Sequence, residues 1–323
     1  MASKLGKKTG KKIEYKYYNE ELKERYLSQR KKDLPVAIKC TDVQFRKIAS
    51  AEYELDKDVS DWNYYEIIEY YKLLNITSIT SLTCFNSIFS MYTDFCLENG
   101  LVKDHQNHFL ECTQEVLLTC LNKAIFDKKI VSRETVLEWI EQLPNARDQF
   151  ILLSLFEYGK SKDFIDIFNV KQSDCDKEKK TLKLSNRTVN ISDKLISIIE
   201  ECGEADTYYS ISKNGTKKMP LVDYGFIVKS YPNQNNDLTN FRKGRNIYTA
   251  CQRIFDYVGV GKWMSPNAIS ESGKLHMIKA EAKKLNITPY EYLYSKDIVK
   301  VEQQFNFKME RKTYYKTYKE YLV

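Results

Sequence analysis

Apolar residues recur every three or four positions through most of this sequence, the spacing that places them on one face of an α-helix. The clearest helix is predicted within residues 78–102, where serine and threonine residues precede it and Gly100 closes it. Its apolar face comprises Leu82, Phe85, Ile88, Phe89, Tyr92, Phe95 and Cys96. Further helices are predicted at residues 13–32, from about residue 61 to 71, at about 113–127 and at 132–142.

The second half of the chain combines helical segments with one short extended region. After Pro144 the sequence NARDQFILLSLFEYG is strongly apolar and predicts a buried helix. Residues 181–191 alternate and contain β-branched side chains, which predicts a strand. Loops are predicted at 212–220, with a turn at Asn214-Gly215, and at 231–237; the helical pattern then resumes near Thr239 and breaks at Pro266 and Pro289. The fold class predicted is mainly α with one small β-sheet.

The length of 323 residues favours two domains over one. Residues 1–32 are predicted to form a basic arm followed by a helix, and the first twelve of them have too few apolar side chains to fold alone. Residues 33–130 are predicted to form a helical domain, and residues 131–323 a second, larger domain.

Positive charge is concentrated at the two ends of the chain. Residues 1–32 contain eleven Lys and Arg against four Asp and Glu, and residues 241–323 contain 16 against 8. The net charge of the whole chain is +7, so the middle is acidic. A polyanionic partner would be held by the basic ends. The alternative is that the basic ends only increase solubility.

Neither the cysteines nor the hydropathy of the chain predicts a metal site or a membrane segment. The eight cysteines never form a C-x-x-C pair and only three histidines are present, so no metal and no cofactor are predicted. Unpaired cysteines suit a reducing cytoplasm. Because no long apolar run or signal peptide occurs, we expect a cytoplasmic protein, associated with the nucleoid of a bacterial host, without membrane contact and without a small-molecule substrate.

The order of these segments resembles the tyrosine recombinase (phage integrase) family from about Asp61 onward. Residues 78–102 look like a helix of the family's core-binding domain, and ARDQFILLSLFEYG followed by IFNVKQSDCD resembles the opening of its catalytic domain. Residues 265–267 and the C-terminal QFNFKMERKTYYKTYKEYL resemble its last two motifs. The resemblance implies a two-domain architecture, a helical core-binding domain and an integrase-like C-terminal domain, that together clamp around DNA.

The catalytic positions implied by this resemblance hold other residue types in this chain. Transesterification at a phosphate requires guanidinium groups for the oxyanion, acid–base groups and a tyrosine nucleophile. The implied positions are Ser161 or Asp163 for the first arginine, Asn267-Ala268-Ile269-Ser270 for His-x-x-Arg, Phe305-Asn306-Phe307 for Leu-Gly-His, Lys180 or Lys183 for the hairpin lysine, and Tyr314, Tyr315 or Tyr318 for the nucleophile. Only the tyrosine is retained, so the resemblance implies a recombinase fold without recombinase catalysis.

Two basic segments and one turn supply the candidate DNA contacts. Arginine reads guanine edges bidentately, whereas lysine mostly contacts phosphate. The candidates are Arg242, Lys243, Arg245 and Arg253 in residues 239–255, Lys274 and Lys279 in residues 270–284, and Lys217 and Lys218 beside the turn at Asn214-Gly215. For each segment the alternative is an ordinary solvated surface.

The function expected from the sequence is sequence-specific binding of a double-stranded DNA operator by a transcriptional repressor that maintains phage lysogeny and has no enzymatic activity. One alternative is an active site-specific recombinase with a rearranged active site that uses Tyr315. A second alternative is a helical interaction protein that binds no nucleic acid.

Overall fold

The computed structural model describes residues 17–33, 35–211, 217–232, 240–261 and 263–322, and for residues 31–33, 35–37 and 240–242 it describes the backbone alone. The predicted arm at 1–12, the turn at Asn214-Gly215 and most of the loop at 231–237 lie outside the described residues. The chain divides into two compact units, Met1–Phe126 and Asp127–Val323, here called the N-terminal and C-terminal units.

The N-terminal unit is helical, as the apolar spacing predicts. Its longest predicted helix begins after Ser78, whose hydroxyl accepts a hydrogen bond from the Ser81 amide. The region predicted as one helix at 113–127 is two helices, because the Asn122 side chain accepts a hydrogen bond from the Ile125 amide and starts a new one. The helices are α1 (Glu20–Asp33), α2 (Pro35–Leu55), α3 (Tyr64–Leu73), α4 (Ile79–Glu98), α5 (Gln114–Thr119) and α6 (Lys123–Asp127).

Helix α2 is absent from the elements that the sequence pattern predicts. The preceding helix α1 ends before Pro35, which occupies the first position of α2, where its missing N–H costs nothing. The buried face of α2 also contains polar side chains, which hide the helical spacing of apolar residues. Its buried residues are Thr41, Gln44, Phe45, Ile48, Ala49 and Glu52.

A buried ion pair joins α1 to α2 inside the N-terminal unit. The Lys23 ammonium is fully buried, lies 2.5 Å from Oε1 of Glu52 and 3.4 Å from Oδ2 of Asp58, and also donates to the Tyr18 carbonyl. Burial raises the pKa of Glu52 to about 7, although the Lys23 charge acts in the opposite direction. The rings of Phe45 and Tyr92 lie 5.5 and 5.6 Å from the ammonium. Lys23 therefore neutralises charge that the core could not otherwise hold.

His108 lies between two carboxylates, which makes the stability of the N-terminal unit depend on pH. Its Nδ1 is 2.5 Å from Oε1 of Glu111 and its Nε2 is 2.7 Å from Oδ2 of Asp104. Partial burial lowers the pKa of His108, but these hydrogen bonds outweigh burial and raise the pKa above its ordinary value. The charged imidazolium therefore stabilises the folded N-terminal unit. This stabilisation is complete below the ordinary histidine pKa of about 6.5 and is lost as pH rises through the raised pKa of His108.

We expect His108→Gln to lower the urea midpoint of the N-terminal unit more at pH 5.5 than at pH 9, because only the charged imidazolium gains from both carboxylates. Denaturation of both proteins at the two pH values measures this difference. His105→Asn, at an exposed position of the same loop, is the control and should show no such dependence. A loss that is equal at both pH values would contradict the assignment.

The core of the C-terminal unit forms around α8, in which Phe150 to Phe156 are all buried, as its apolar sequence predicts. Helices α7, α10, α11 and α12 pack against it. Both predicted helix breaks are confirmed, since Pro266 begins α12 and Pro289 begins α13. The helices are α7 (Arg133–Gln142), α8 (Ala146–Glu157), α9 (Ile165–Phe168), α10 (Asp193–Glu204), α11 (Asn240–Tyr257), α12 (Pro266–Lys284), α13 (Pro289–Tyr294), α14 (Val299–Phe305) and α15 (Arg311–Tyr318).

Within the described residues the strands form two small antiparallel sheets, whereas the sequence predicted one. The predicted extended region at 181–191 supplies β2 and β3, which pair with Leu182 opposite Val189. The second sheet pairs Tyr208 with Met219, in a region that the sequence had assigned to a loop. The strands are β1 (Cys175–Asp176), β2 (Thr181–Lys183), β3 (Thr188–Asn190), β4 (Thr207–Tyr209) and β5 (Lys218–Pro220).

The described residues contain neither a membrane-spanning helix nor a metal-binding cluster. None of the described helices is long and apolar enough to cross a lipid bilayer. Within the same ranges, no group of His, Cys, Asp and Glu side chains is arranged to hold a metal ion. The eight cysteines are free thiols, five of them buried.

Candidate nucleic-acid interface

The fold brings together the positions that the recombinase resemblance assigns to catalysis. Gly159 lies two residues after the end of α8 and has a positive φ of 76°. A Cβ atom at this position would lie 2.7 Å from Oγ of Ser270 and 3.0 Å from the Phe305 ring. Ser270 and Phe305 are 7% and 3% exposed. A serine hydroxyl and a phenyl ring therefore lie where the resemblance implies an arginine and a neighbouring Leu-Gly-His motif, and neither supplies positive charge.

Close packing of helix α12 on α8 fixes the position of Ser270. The Ser265 hydroxyl accepts a hydrogen bond from the Ala268 amide, so the segment 267–270 forms the first turn of the helix. Further along, a Cβ atom at Gly273 would lie 1.8 Å from the Phe156 carbonyl oxygen. Only glycine permits this approach, which fixes Ser270 against the end of α8.

The three candidate nucleophiles lie in α15 and pack within the C-terminal unit. The Tyr314 hydroxyl is buried and has no hydrogen-bond partner in the ranges described. Burial and the nearby Glu271 charge raise the pKa of Tyr314 well above its ordinary value. The Tyr315 ring packs edge-on against Tyr290 at 4.8 Å, and burial also raises the pKa of Tyr318. For Tyr314 and Tyr318 this is the reverse of the activation that a nucleophile requires.

Arg187 is a basic residue of this region that the sequence pattern did not single out. In the turn between β2 and β3, its Nη1 donates to Oδ2 of Asp166 at 2.6 Å, and Asp166 is almost completely buried. Its Nη2 donates to the Tyr158 carbonyl at 3.3 Å and its Nε to the Gln304 carbonyl at 3.4 Å. The guanidinium therefore bonds to the protein interior, where it ties the hairpin to α14 and to the end of α8. No local sequence signal could have identified contacts across 117 residues.

The two candidate hairpin lysines occupy different surroundings. Lys180 has a positive φ of 52°, and its ammonium lies 2.8 Å from Oδ2 of Asp193. Lys183 is exposed on β2 and lines a shallow depression together with Asp166 and Asp174. An acidic neighbourhood weakens attraction to a phosphate, so neither lysine replaces the missing guanidinium groups.

The basic start of α11 packs on the loop that holds Ser161 and Asp163. A Cβ atom at Gly244 would lie 2.3 Å from the Asp163 carbonyl oxygen, so only glycine allows the helix to approach. Asp163 and Phe164 both have a positive φ, at 56° and 58°, a conformation that is costly for a bulky side chain. Helix α11 thus supports a strained loop at the place implied for the first arginine.

Several basic side chains lie near this contact between α11 and the Asp163 loop, and Lys160 lies 4.9 Å from the Phe164 ring. Lys243 lies 5.7 Å from the Phe168 ring and 5.9 Å from the Phe226 ring, and Lys171 lies 5.7 Å from Phe226. None of these basic side chains forms an ion pair in the described ranges. We call Lys160, Lys162, Lys171, Lys243 and Arg245 the α11 cluster. The sequence pattern identified Lys243 and Arg245 but missed the three lysines of the neighbouring loops.

Comparison with known proteins identifies the relatives of this chain. A family model described as MrpR, C-terminal catalytic domain, matches residues 130–323, and another described as MrpR, N-terminal core-binding domain, matches residues 17–98. The chain belongs to the MrpR family. The predicted architecture, a core-binding domain followed by a recombinase-like catalytic domain, is confirmed. The chain is also similar to the SPbeta prophage-derived uncharacterized protein YopR of Bacillus subtilis (strain 168), with 24% identity over 278 residues that span 80% of this chain and 81% of YopR.

The other candidate contacts are distributed over several elements of this MrpR-family chain. Lys217 and Lys218 are exposed at β5, with the Lys218 ammonium 6.0 Å from the Tyr209 ring, and Lys279 is exposed on α12. Arg242 belongs to α11, but its side chain lies outside the described part of the chain. Arg253 is half-buried, and its charge acts against the burial that raises the pKa of Asp148. The Arg253 charge therefore stabilises the ionised form of a buried carboxyl group in the C-terminal unit.

The position of Lys274 does not support the DNA contact that the sequence predicted for it. Lys274 is 9% exposed, its ammonium lies 2.8 Å from Oε1 of Glu271, and the Phe307 ring is 3.9 Å away. Its charge is thus neutralised inside the MrpR-type catalytic domain. Sequence spacing alone had placed this lysine on the surface of the helix, because it could not show that the side chain would pack under Phe307.

Proposed function

We propose that this protein is a sequence-specific DNA-binding repressor that maintains phage lysogeny, with a recombinase fold but without recombinase activity. We also infer that it is similar to the master lysogeny repressor of SPβ-like Bacillus phages. YopR is described as prophage-derived, which supports a phage role for the chain. The core-binding domain matched at residues 17–98 supports DNA as the partner.

The observation that carries the loss of catalysis is the contact among Gly159, Ser270 and Phe305. Recombination requires several guanidinium groups around the reacting phosphate, and removal of one such group typically costs about two to three orders of magnitude in rate. At this site the described side chains are uncharged and packed against one another. A phosphate placed there would find an apolar contact in place of the charge its transition state needs.

The observation that supports DNA binding is the α11 cluster. Its five cations lack ion-pair partners in the described residues; two of them lie on α11, which packs beside the degenerate catalytic loop, and three lie on neighbouring loops. Unpaired lysine and arginine side chains gain most from contacts with phosphate, because they displace condensed counterions from the DNA. The fold is therefore suited to hold DNA at the former active site without cleaving it.

We expect no covalent protein–DNA adduct when the protein is incubated with its cognate site and analysed on a denaturing gel. The reason is that neither a phosphate-activating arginine nor an activated tyrosine is present at the described site. Tyr315→Phe should bind DNA as tightly as the wild-type protein, since its hydroxyl has no reacting group to attack. An adduct formed by the wild-type protein and lost in Tyr315→Phe would support the alternative of an active recombinase and refute the loss of catalysis.

We expect one short operator sequence, repeated near several promoters, to be bound at least about 10³-fold more tightly than random DNA. Specificity of this size is what allows a repressor to occupy a few sites against a whole chromosome. Chromatin immunoprecipitation measures the occupied sites, and deletion of the gene should induce the prophage that carries it. Binding that is scattered without a shared motif, or a deletion that leaves the prophage silent, would refute repression while leaving the family assignment intact.

A further inference from the structure

Two buried basic side chains outside the α11 cluster line one small cavity in the C-terminal unit. Arg147, at the start of α8, and Lys229 are each 8% exposed. The other walls include Cys202, at the end of α10, and Tyr208, in β4. The cavity has a volume of about 10 Å³, which is the space that one water-sized species requires.

The Arg147 guanidinium has two hydrogen-bond donors that the protein does not satisfy. Its Nε and Nη1 atoms are buried, and neither has a partner in the described part of the chain. The Tyr208 and Tyr231 rings lie 5.5 and 5.1 Å from its central carbon. These rings attract the positive charge. Neither tyrosine hydroxyl accepts a hydrogen bond from Nε or Nη1. A buried charged donor without an acceptor is strongly unfavourable, so a species that accepts both bonds belongs in the cavity.

The charge around the cavity decides which acceptor is stabilised. Lys229 donates to the carbonyls of Gly203 and Ala205 at 2.6 and 2.9 Å. Its ammonium also pairs with Asp223 at 3.4 Å, and the Asp223 side chain is 61% exposed. Asp148 is 1% exposed, and burial raises its pKa although Arg147 acts against that shift. Because water screens the exposed Asp223 carboxylate, the two buried cations outweigh the one fully buried carboxyl group. The excess positive charge favours an anion over a neutral water molecule.

We propose that this cavity binds one small monovalent anion, either a halide ion or one oxygen of a small carboxylate such as formate, through Nε and Nη1 of Arg147. The small volume excludes tetrahedral oxyanions such as phosphate and sulfate. The bound anion connects the start of α8 to β4 and to the end of α10, so it stabilises the C-terminal unit. The site is independent of the proposed DNA contacts, and failure of either proposal leaves the other unchanged.

The test measures the melting temperature of the full-length protein by calorimetry while gluconate is replaced by chloride, bromide or formate at constant ionic strength. At ten times the dissociation constant we expect a rise of about 3–6 °C that saturates with anion concentration. The rise should disappear in Arg147→Met and remain in Lys194→Met, an exposed position on α10. A rise with chloride alone assigns a halide site, and a rise with formate assigns a carboxylate site.

A bromide-soaked crystal of the wild-type protein provides the readout that does not depend on a variant. We expect an anomalous scattering peak within hydrogen-bond distance of both Nε and Nη1 of Arg147. If Arg147→Met does not fold, this crystal decides alone. Water at that position without an anomalous peak, a melting temperature insensitive to the anion, or an equal response in Arg147→Met would each overturn the proposal.

Discussion

Lys23→Met should destabilise the N-terminal unit by about 3–5 kcal/mol, the cost typical of removing one partner from a buried ion pair. The Lys23 ammonium is fully buried between Glu52 and Asp58. Without it, two carboxyl groups remain in the core, and one oxygen of Glu52 already lacks a hydrogen-bond partner in the described residues. The measurement is the urea-induced unfolding transition of the N-terminal unit, followed by circular dichroism.

Two further variants separate this loss from a simple change in packing. Lys72→Met removes an exposed lysine that pairs with Glu69, and it should leave the transition almost unchanged. Combining Lys23→Met with Glu52→Leu should recover part of the lost stability, because no uncompensated charge at position 52 then remains. A Lys23→Met protein as stable as the wild type would show that the pair contributes nothing to the fold.

Replacement of Lys160, Lys162, Lys243 and Arg245 by glutamine should lower the affinity for the operator by on the order of 10³ at about 0.1 M salt. Each cation that contacts a phosphate contributes about 0.9 to the slope of log affinity against log salt, so the slope should become shallower by roughly 3–4. Mobility-shift titrations at several salt concentrations measure both quantities. The loss should be similar for operator and random DNA wherever the cations contact only phosphate.

A control protein with the same change in net charge makes this result specific to the α11 cluster. It replaces four lysines of the C-terminal unit that lie outside the cluster, namely Lys177, Lys179, Lys194 and Lys300. Three of these pair with neighbouring carboxylates, so they should contribute little to DNA binding. An equal loss of affinity in both proteins would mean that net charge, and not the α11 cluster, attracts the DNA.

The sequence predicted well those elements whose own side chains carry the signal. The helix at Ile79–Glu98 and the buried helix α8 follow from apolar spacing, and the alternation within 181–191 predicted extended structure there, although as one strand and not as the hairpin of β2 and β3. The sequence missed α2, whose buried face includes Gln44 and Glu52. It also missed β4 and β5, which are three residues each and pair across a segment that has the composition of a loop.

The sequence by itself determined the family, the mainly helical two-domain organisation and the absence of arginine and histidine at the implied catalytic positions, because each of these depends on residue identity and local order. Only the tertiary structure decided which side chains meet. It placed Ser270 and Phe305 against Gly159, buried Lys274 against Glu271 and Phe307, and brought Lys243 and Lys171 to the same Phe226 ring. Burial and charge pairing depend on contacts between residues far apart in the chain, and no local pattern of residues records those contacts.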